Sequence, residues 1–138
     1  MEKFKQERLE FIRKVLEEFD KQRINYCILR NYEFLLGDPM PIESMDTIIS
    51  KEDLSKTDKI LKSFDFSKRK QQFSLKHKAY FKLIGLEKVS FDIQVGGVYW
   101  NDMVYLDESI LKNRIKRSYF YVPSNNDTFV MLLIHSIL

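Results

Sequence analysis

The chain has 138 residues, 23 lysines and arginines against 20 aspartates and glutamates (formal net charge +3), and is 44% hydrophobic and 14% aromatic. These values predict one packed domain over residues 1–138 and exclude a disordered chain. The single cysteine, Cys27, excludes an intramolecular disulfide and a cysteine-based zinc site, and the absence of an apolar signal core or a spanning apolar run predicts a cytoplasmic protein with no membrane partner.

The first element is a helix from Lys3 to Lys21. Phe4, Leu9, Ile12, Val15, Leu16 and Phe19 recur at spacings near three and four and form one apolar stripe. Ile24–Leu29 reads as a buried strand that ends at Arg30-Asn31. Gly37-Asp38-Pro39 and Pro41 mark an irregular loop, and Met45–Ile49 is the next strand. Ser50 is an N-cap candidate for a helix from Lys51 to Phe64, with Asp53 in the capping-box position.

Phe73–Ile84 alternates. Phe73, Leu75, His77, Phe81 and Leu83 share one face, and Lys76, Lys78, Tyr80 and Lys82 the other. After a turn at Gly85-Leu86-Glu87-Lys88, Val89–Val95 alternates again, with Ser90, Asp92 and Gln94 on its polar side. Leu106–Ile115 is expected to be helical, with Asp107 and Glu108 at its positive end. Tyr119–Val122 is a short strand, and Pro123-Ser124 opens a final helix that is apolar nearly all round. Such a helix wants more than one packing partner, either a C-terminal region of a longer protein or a second copy in a homodimer. The order α-β-β-α-β-β-α-β-α fits an α/β (α+β) protein with a mixed sheet and helices packed against it.

Two strands each carry a carboxylate among apolar residues: Asp46 in Ser44-Met45-Asp46-Thr47-Ile48-Ile49, and Asp92 in Phe91-Asp92-Ile93-Gln94. Burying an acid in this way is costly unless something pairs with it. If the two strands are neighbours, Asp46 and Asp92 would share a magnesium ion, a hard cation that takes one or two carboxylates together with substrate phosphates. The competing readings are a hydrogen-bonded strand-end acid at Asp46, and an Asp92 paired with Lys78 or Lys82 across the hairpin. Lys68, Arg69, Lys70, Lys76, Lys78 and Lys82 form a basic run without an acid. It reads either as a nucleic-acid surface or as a strand edge protected from aggregation. His77 and His135 read as packed residues rather than ligands, and Tyr99 and Trp100 as packing anchors or as a platform for a base.

Cys27-Ile28-Leu29-Arg30-Asn31-Tyr32-Glu33, a loop, and Ser44-Met45-Asp46-Thr47-Ile48-Ile49-Ser50 together resemble the nucleotidyltransferase superfamily, in its poorly characterised bacterial and archaeal branch. Phe91-Asp92-Ile93-Gln94 is similar to the later strand that carries that family's third acid, and Pro123-Ser124 with Asp127 to the start of its helical C-terminal part. The resemblance implies a nucleotidyltransferase-like mixed sheet. It also implies transfer of a nucleoside monophosphate from an NTP to a hydroxyl acceptor with Mg2+ or Mn2+. Asp46 and Asp92 would be the catalytic and metal-binding acids, and Arg30, Asn31 and Ser44 would line the phosphate pocket. The family pattern places a first acid at position 44, where this chain has serine, and a Gly-Ser pair near the place of Arg30-Asn31, which this chain lacks. Glu43 is next to that position, and Asp38 and Glu33 lie in the preceding loop. The departure opens the alternative of a catalytically degenerate module of the same fold that binds a nucleotide or a partner.

Overall fold

The computed structural model describes residues 2–37, 44–69, 77–100 and 103–137. Helix α1 (Glu2–Lys21) lays its expected stripe on the sheet, with Ile12, Val15, Leu16 and Phe19 fully buried. A tight turn with Arg23 at φ 59° leads into β1 (Tyr26–Arg30). A short 3-10 turn at Glu33–Leu36 follows β1. The expected loop through Asp38, Pro39 and Pro41 lies outside the described residues, as does Glu43. β2 (Met45–Ile49) has the expected bounds.

The helix expected over Lys51–Phe64 is split. Lys51–Asp53 forms a 3-10 turn, and α2 runs from Leu54 to Ser63. The capping box does not form: Ser50 makes no side-chain cap, and the Asp53 carboxylate accepts the backbone N–H of Asn25 at 2.8 Å. A buried carboxylate is better satisfied by that fixed donor than by its own turn.

β3 (Ser67–Lys68), β4 (His77–Ile84) and β5 (Glu87–Val95) complete a five-stranded mixed sheet ordered β1-β2-β5-β4-β3. β2 and β5 run parallel, and the other neighbours antiparallel. The β4–β5 turn is tighter than expected. Ile84 pairs with Glu87, so Gly85-Leu86 alone forms the turn, with Gly85 at φ 67°. A positive φ at the first turn residue matches the twist of the flanking strands. The alternation expected from Phe73 to Lys76 lies outside the described residues.

Alternation separates the two sheet faces. Tyr26, Ile28, Met45, Ile49, Tyr80, Phe91 and Ile93 point to one face, where α1 and α2 cover them with Phe19, Ile60 and Leu61. Fully burying a side chain of this size is worth about 1.5–3 kcal/mol. Among the described residues the second face is covered at one end only, by a smaller cluster of Cys27, Leu29, Ile48, Val98, Ile110, Leu111 and Met131.

That second cluster is built by elements the sequence pattern misassigned. Instead of a helix over Leu106–Ile115 there is a hairpin of β6 (Gly97–Trp100) and β7 (Met103–Asp107), then one helical turn α3 (Ser109–Lys112), then β8 (Ile115–Arg117). Gly96 at φ 80° allows the chain to turn straight from β5 into β6. Leu106 pairs with Val98, and the Asp107 carboxylate accepts the Ser109 N–H at 2.9 Å, which ends the strand and starts the turn. The Ser109 hydrogen bonds hold the Asp107 carboxyl below the usual carboxylate range. β8 pairs with β9 (Phe120–Val122), which lies against β1. α4 (Asn125–Ile137) buries Met131 and leaves Phe129, Leu132 and Ile137 more than half exposed. Among the described residues no helix is long and apolar enough to cross a membrane.

Candidate functional site

The open half of the second sheet face holds the predicted acids. β2 and β5 are in register there, with Asp46 directly beside Asp92. Register partners in a parallel pair point to the same face, and neighbouring strands lie about 4.8 Å apart. The two acids therefore stand side by side, as the neighbour expectation required.

β1 brings the third residue. A bulge between Ile28 and Arg30 shifts the register, so that Arg30 rather than Leu29 stands opposite Asp46. The extra residue lets Leu29 bury in the second cluster while Arg30 stays at the open end. Arg30 Nε donates to Asp46 Oδ2 at 2.6 Å, with the arginine side chain 46% exposed and the aspartate 18%.

Ser44 stands where the family pattern has its first acid. Its hydroxyl donates to Asp92 Oδ2 at 2.8 Å. Asn31 closes the end of β1 in a left-handed conformation, φ 63°, and its side-chain amide donates to the Ser44 carbonyl at 3.4 Å. All five predicted site residues, Arg30, Asn31, Ser44, Asp46 and Asp92, thus meet at one corner of the sheet. Asp92 does not pair with Lys78 or Lys82. Those lysines stand opposite Ile93 and Val89, on the other face.

Among the described residues the donor set fits one hard cation and does not supply a second. Both hydrogen bonds use Oδ2 atoms, which leaves an oxygen on each carboxylate for a shared ion whose other ligands are water and phosphate. A two-ion centre needs further carboxylates, and among the described residues no group of three His, Cys, Asp or Glu gathers. Glu33 does not complete one. Asp38 and Glu43 lie outside the described residues.

The basic run is partly neutralised. Lys68 lies 3.7 Å from Asp58, and Lys82 lies 3.8 Å from Asp65 while donating to the Phe64 carbonyl. Lys70 and Lys76 lie outside the described residues. Burial tends to raise the Asp58 carboxyl, but the hydrogen bonds from Lys62 and Tyr80 and the charge of Lys68 outweigh it and hold Asp58 below the usual carboxylate range. Tyr99 donates its hydroxyl to the Val95 carbonyl, and its backbone N–H goes to Gln94, so it serves as a packing anchor. His77 is half-buried in β4. The side chains of Trp100 and His135 lie outside the described residues.

Sequence reasoning missed two features of this corner. Continuing the β3–β4 register puts Arg69 opposite Ala79, and the Arg69 N–H donates to the Ala79 carbonyl at 2.8 Å. Ala79 in turn stands beside Asp92. One row therefore crosses five strands on a single face: Arg69, Ala79, Asp92, Asp46, Arg30. A cavity of about 200 Å³ opens over the small Ala79, lined by Ser44, Arg69, Phe81, Lys88, Ser90 and Asp92. The alanine among larger strand residues was the available signal.

No protein-family model and no curated protein matches the chain. Among solved structures, the chain is similar to a Thermotoga maritima protein described as a "putative nucleotidyltransferase". The TM-score is 0.63 at 17% sequence identity, over 94% of this chain and 85% of that one. The fold is therefore nucleotidyltransferase-like, as the sequence resemblance implied.

Proposed function

We propose that this chain is a nucleotidyltransferase that passes a nucleoside monophosphate from an NTP to a hydroxyl acceptor with one divalent cation. The observation that carries the reading is the lateral pairing of Asp46 with Asp92 in a sheet of this fold. Asp46 and Asp92 are the residues that would hold Mg2+ or Mn2+, which when bound neutralises phosphate charge and orients the phosphates.

The chain's own groups then divide the work. Arg30 swings its half-exposed guanidinium from Asp46 to the phosphates, where its planar fork is well matched. Asn31 and the Ser44 hydroxyl bind phosphate oxygens at the same corner. The Asp92 Oδ2 that Ser44 thereby releases takes the acceptor proton. The acceptor oxygen bonds to the α-phosphorus, and the bond to the pyrophosphate leaving group breaks.

Calorimetry with ATP, CTP, GTP and UTP in the presence of Mn2+ tests the reading. It is expected to give saturable heat for at least one nucleotide, lost in Asp46→Asn and Asp92→Asn. No heat with any of the four ends the proposal.

A second reading, a nucleotide-binding module without transfer, is favoured by the groups already on both acids: Arg30 on Asp46 and Ser44 on Asp92. It predicts nucleotide affinity that is unchanged by EDTA and no pyrophosphate release with any hydroxyl compound.

A further inference from the structure

The row that crosses the sheet has a gap on one side of the acids. Arg30 abuts Asp46 directly, whereas Ala79 separates Asp92 from Arg69. Alanine reaches no further than its methyl group, so the space above it is the cavity of about 200 Å³. Two cations line that cavity. Arg69 is anchored by its backbone to Ala79, and Lys88 lies with its ammonium 5.3 Å from the centre of the Phe81 ring. Among the described residues neither Arg69 nor Lys88 forms a salt bridge, although Lys62, Lys68 and Lys82 nearby do. Ser90 and Ser44 supply hydroxyls, and Asp92 closes the end next to the acid pair.

We propose that this cavity is an acceptor subsite for a small phosphorylated polyol, with the phosphate on Arg69 and Lys88 and a hydroxyl presented to Asp92. The assignment of the ligand as acceptor rests on the nucleotidyltransferase reading. The occupant's chemistry follows from the layout. Two cations without a salt bridge among the described residues, one across the sheet from Asp92 and one along its strand, and the carboxylate itself suit a molecule that carries both an anion and a hydroxyl. Arg69 lies two strands from Asp92, about 10 Å between backbones. Long side chains shorten that span to a few carbon–carbon bonds. At about 30 Å³ per water, the cavity replaces roughly six or seven waters, the bulk of a phosphate with a short polyol skeleton. A nucleic-acid strand fits less well. It would read an open basic surface, and here Lys68 and Lys82 face acids on the other side of the sheet.

The test is amide-resolved NMR of the full chain titrated with glycerol 3-phosphate, with glycerol as the neutral control. The expected result is saturable shifts at Ala79, Ser90 and Asp92 with the phosphate ester and none with glycerol. Arg69→Gln and Lys88→Gln should each weaken binding about ten-fold, as loss of a charge-assisted contact does. Ala79→Leu, which fills the gap and keeps both charges, should abolish it. The proposal is overturned if no saturable shift occurs, if both charge variants bind like wild type, or if a single-stranded oligonucleotide binds the same residues far more tightly with steep salt dependence. ATP with Mn2+ is followed separately at Asn31 and Asp46. An ATP response without a phosphate-ester response defeats the subsite alone. The converse supports the anion site and defeats its role as acceptor subsite.

Discussion

Ser44→Asp restores the acid that the family pattern places at this position, and its cost can be worked from the geometry. The serine hydroxyl lies 2.8 Å from Asp92 Oδ2. The substitution removes a hydrogen bond to a charged acceptor, worth about 1.5–3 kcal/mol. It also sets two carboxylates near one another. After rotating apart to about 4 Å they repel by about 1 kcal/mol in bulk water and about 4 kcal/mol at an effective dielectric of 20. Asp92 is only half-buried, so the lower part of that range applies, and the total should be about 3 kcal/mol. For a chain of this size that lowers the melting temperature by roughly 10 °C. The loss should be seen in EDTA and should shrink as the pH falls, because protonating one carboxyl removes the repulsion. Mg2+ at a hundred times its dissociation constant should return about 2.7 kcal/mol, and should raise the melting temperature of the variant more than that of wild type. Thermal melts of both proteins, with and without Mg2+, read all of this. If S44D melts with wild type in EDTA, or gains no more from Mg2+ than wild type does, the three positions do not share one electrostatic site.

Further outcomes follow from the rest of the molecule. Phe91→Ala empties a fully buried site between the rings of Phe19 and Phe66, with centroids at 5.9 and 5.7 Å; urea unfolding should show a loss of about 3–5 kcal/mol, and a loss below about 1 kcal/mol would contradict the packing. Burial pushes the Cys27 thiol up to about 12, so iodoacetamide at pH 8 should leave the native chain unmodified and label it in denaturant; rapid labelling of the native protein would refute the burial. Asp58 has a lowered folded-state pKa, so it adds stability above its unfolded value, near 3.9, that is lost as the pH falls through the folded value. Asp58→Asn should therefore be less stable than wild type at neutral pH, with the gap closing in acid; a gap independent of pH would rule out the ion pairs.

What was legible in the sequence was whatever a period or a spacing encodes. The α1 stripe, the bounds of β2 and the polar side of β5 depend on local alternation, and local alternation put Asp46 and Asp92 on matching faces. Their meeting also required β2 beside β5, which the family resemblance supplied and residue spacing alone did not. The β6–β7 hairpin was misread because Leu106, Ile110 and Leu111 fall at helical spacing, while the Asp107 hydrogen bond to Ser109 and the turn at Gly96 decide otherwise. Asp53 was read as a local cap because its real partner, the Asn25 N–H, is remote in the chain. Arg69 was seen as one member of a charge run. Only the pairing of β3 with β4 separates it from Lys68, which turns to the opposite face.

The bulge in β1 turns two consecutive side chains, Leu29 and Arg30, to the same side of the sheet. Loss of a single codon there would restore regular pairing with the guanidinium still opposite Asp46, and would cost the small core its leucine. The extra residue thus lets one short strand serve the apolar cluster and the acid pair at once, where a regular strand of the same register would serve the acid pair alone.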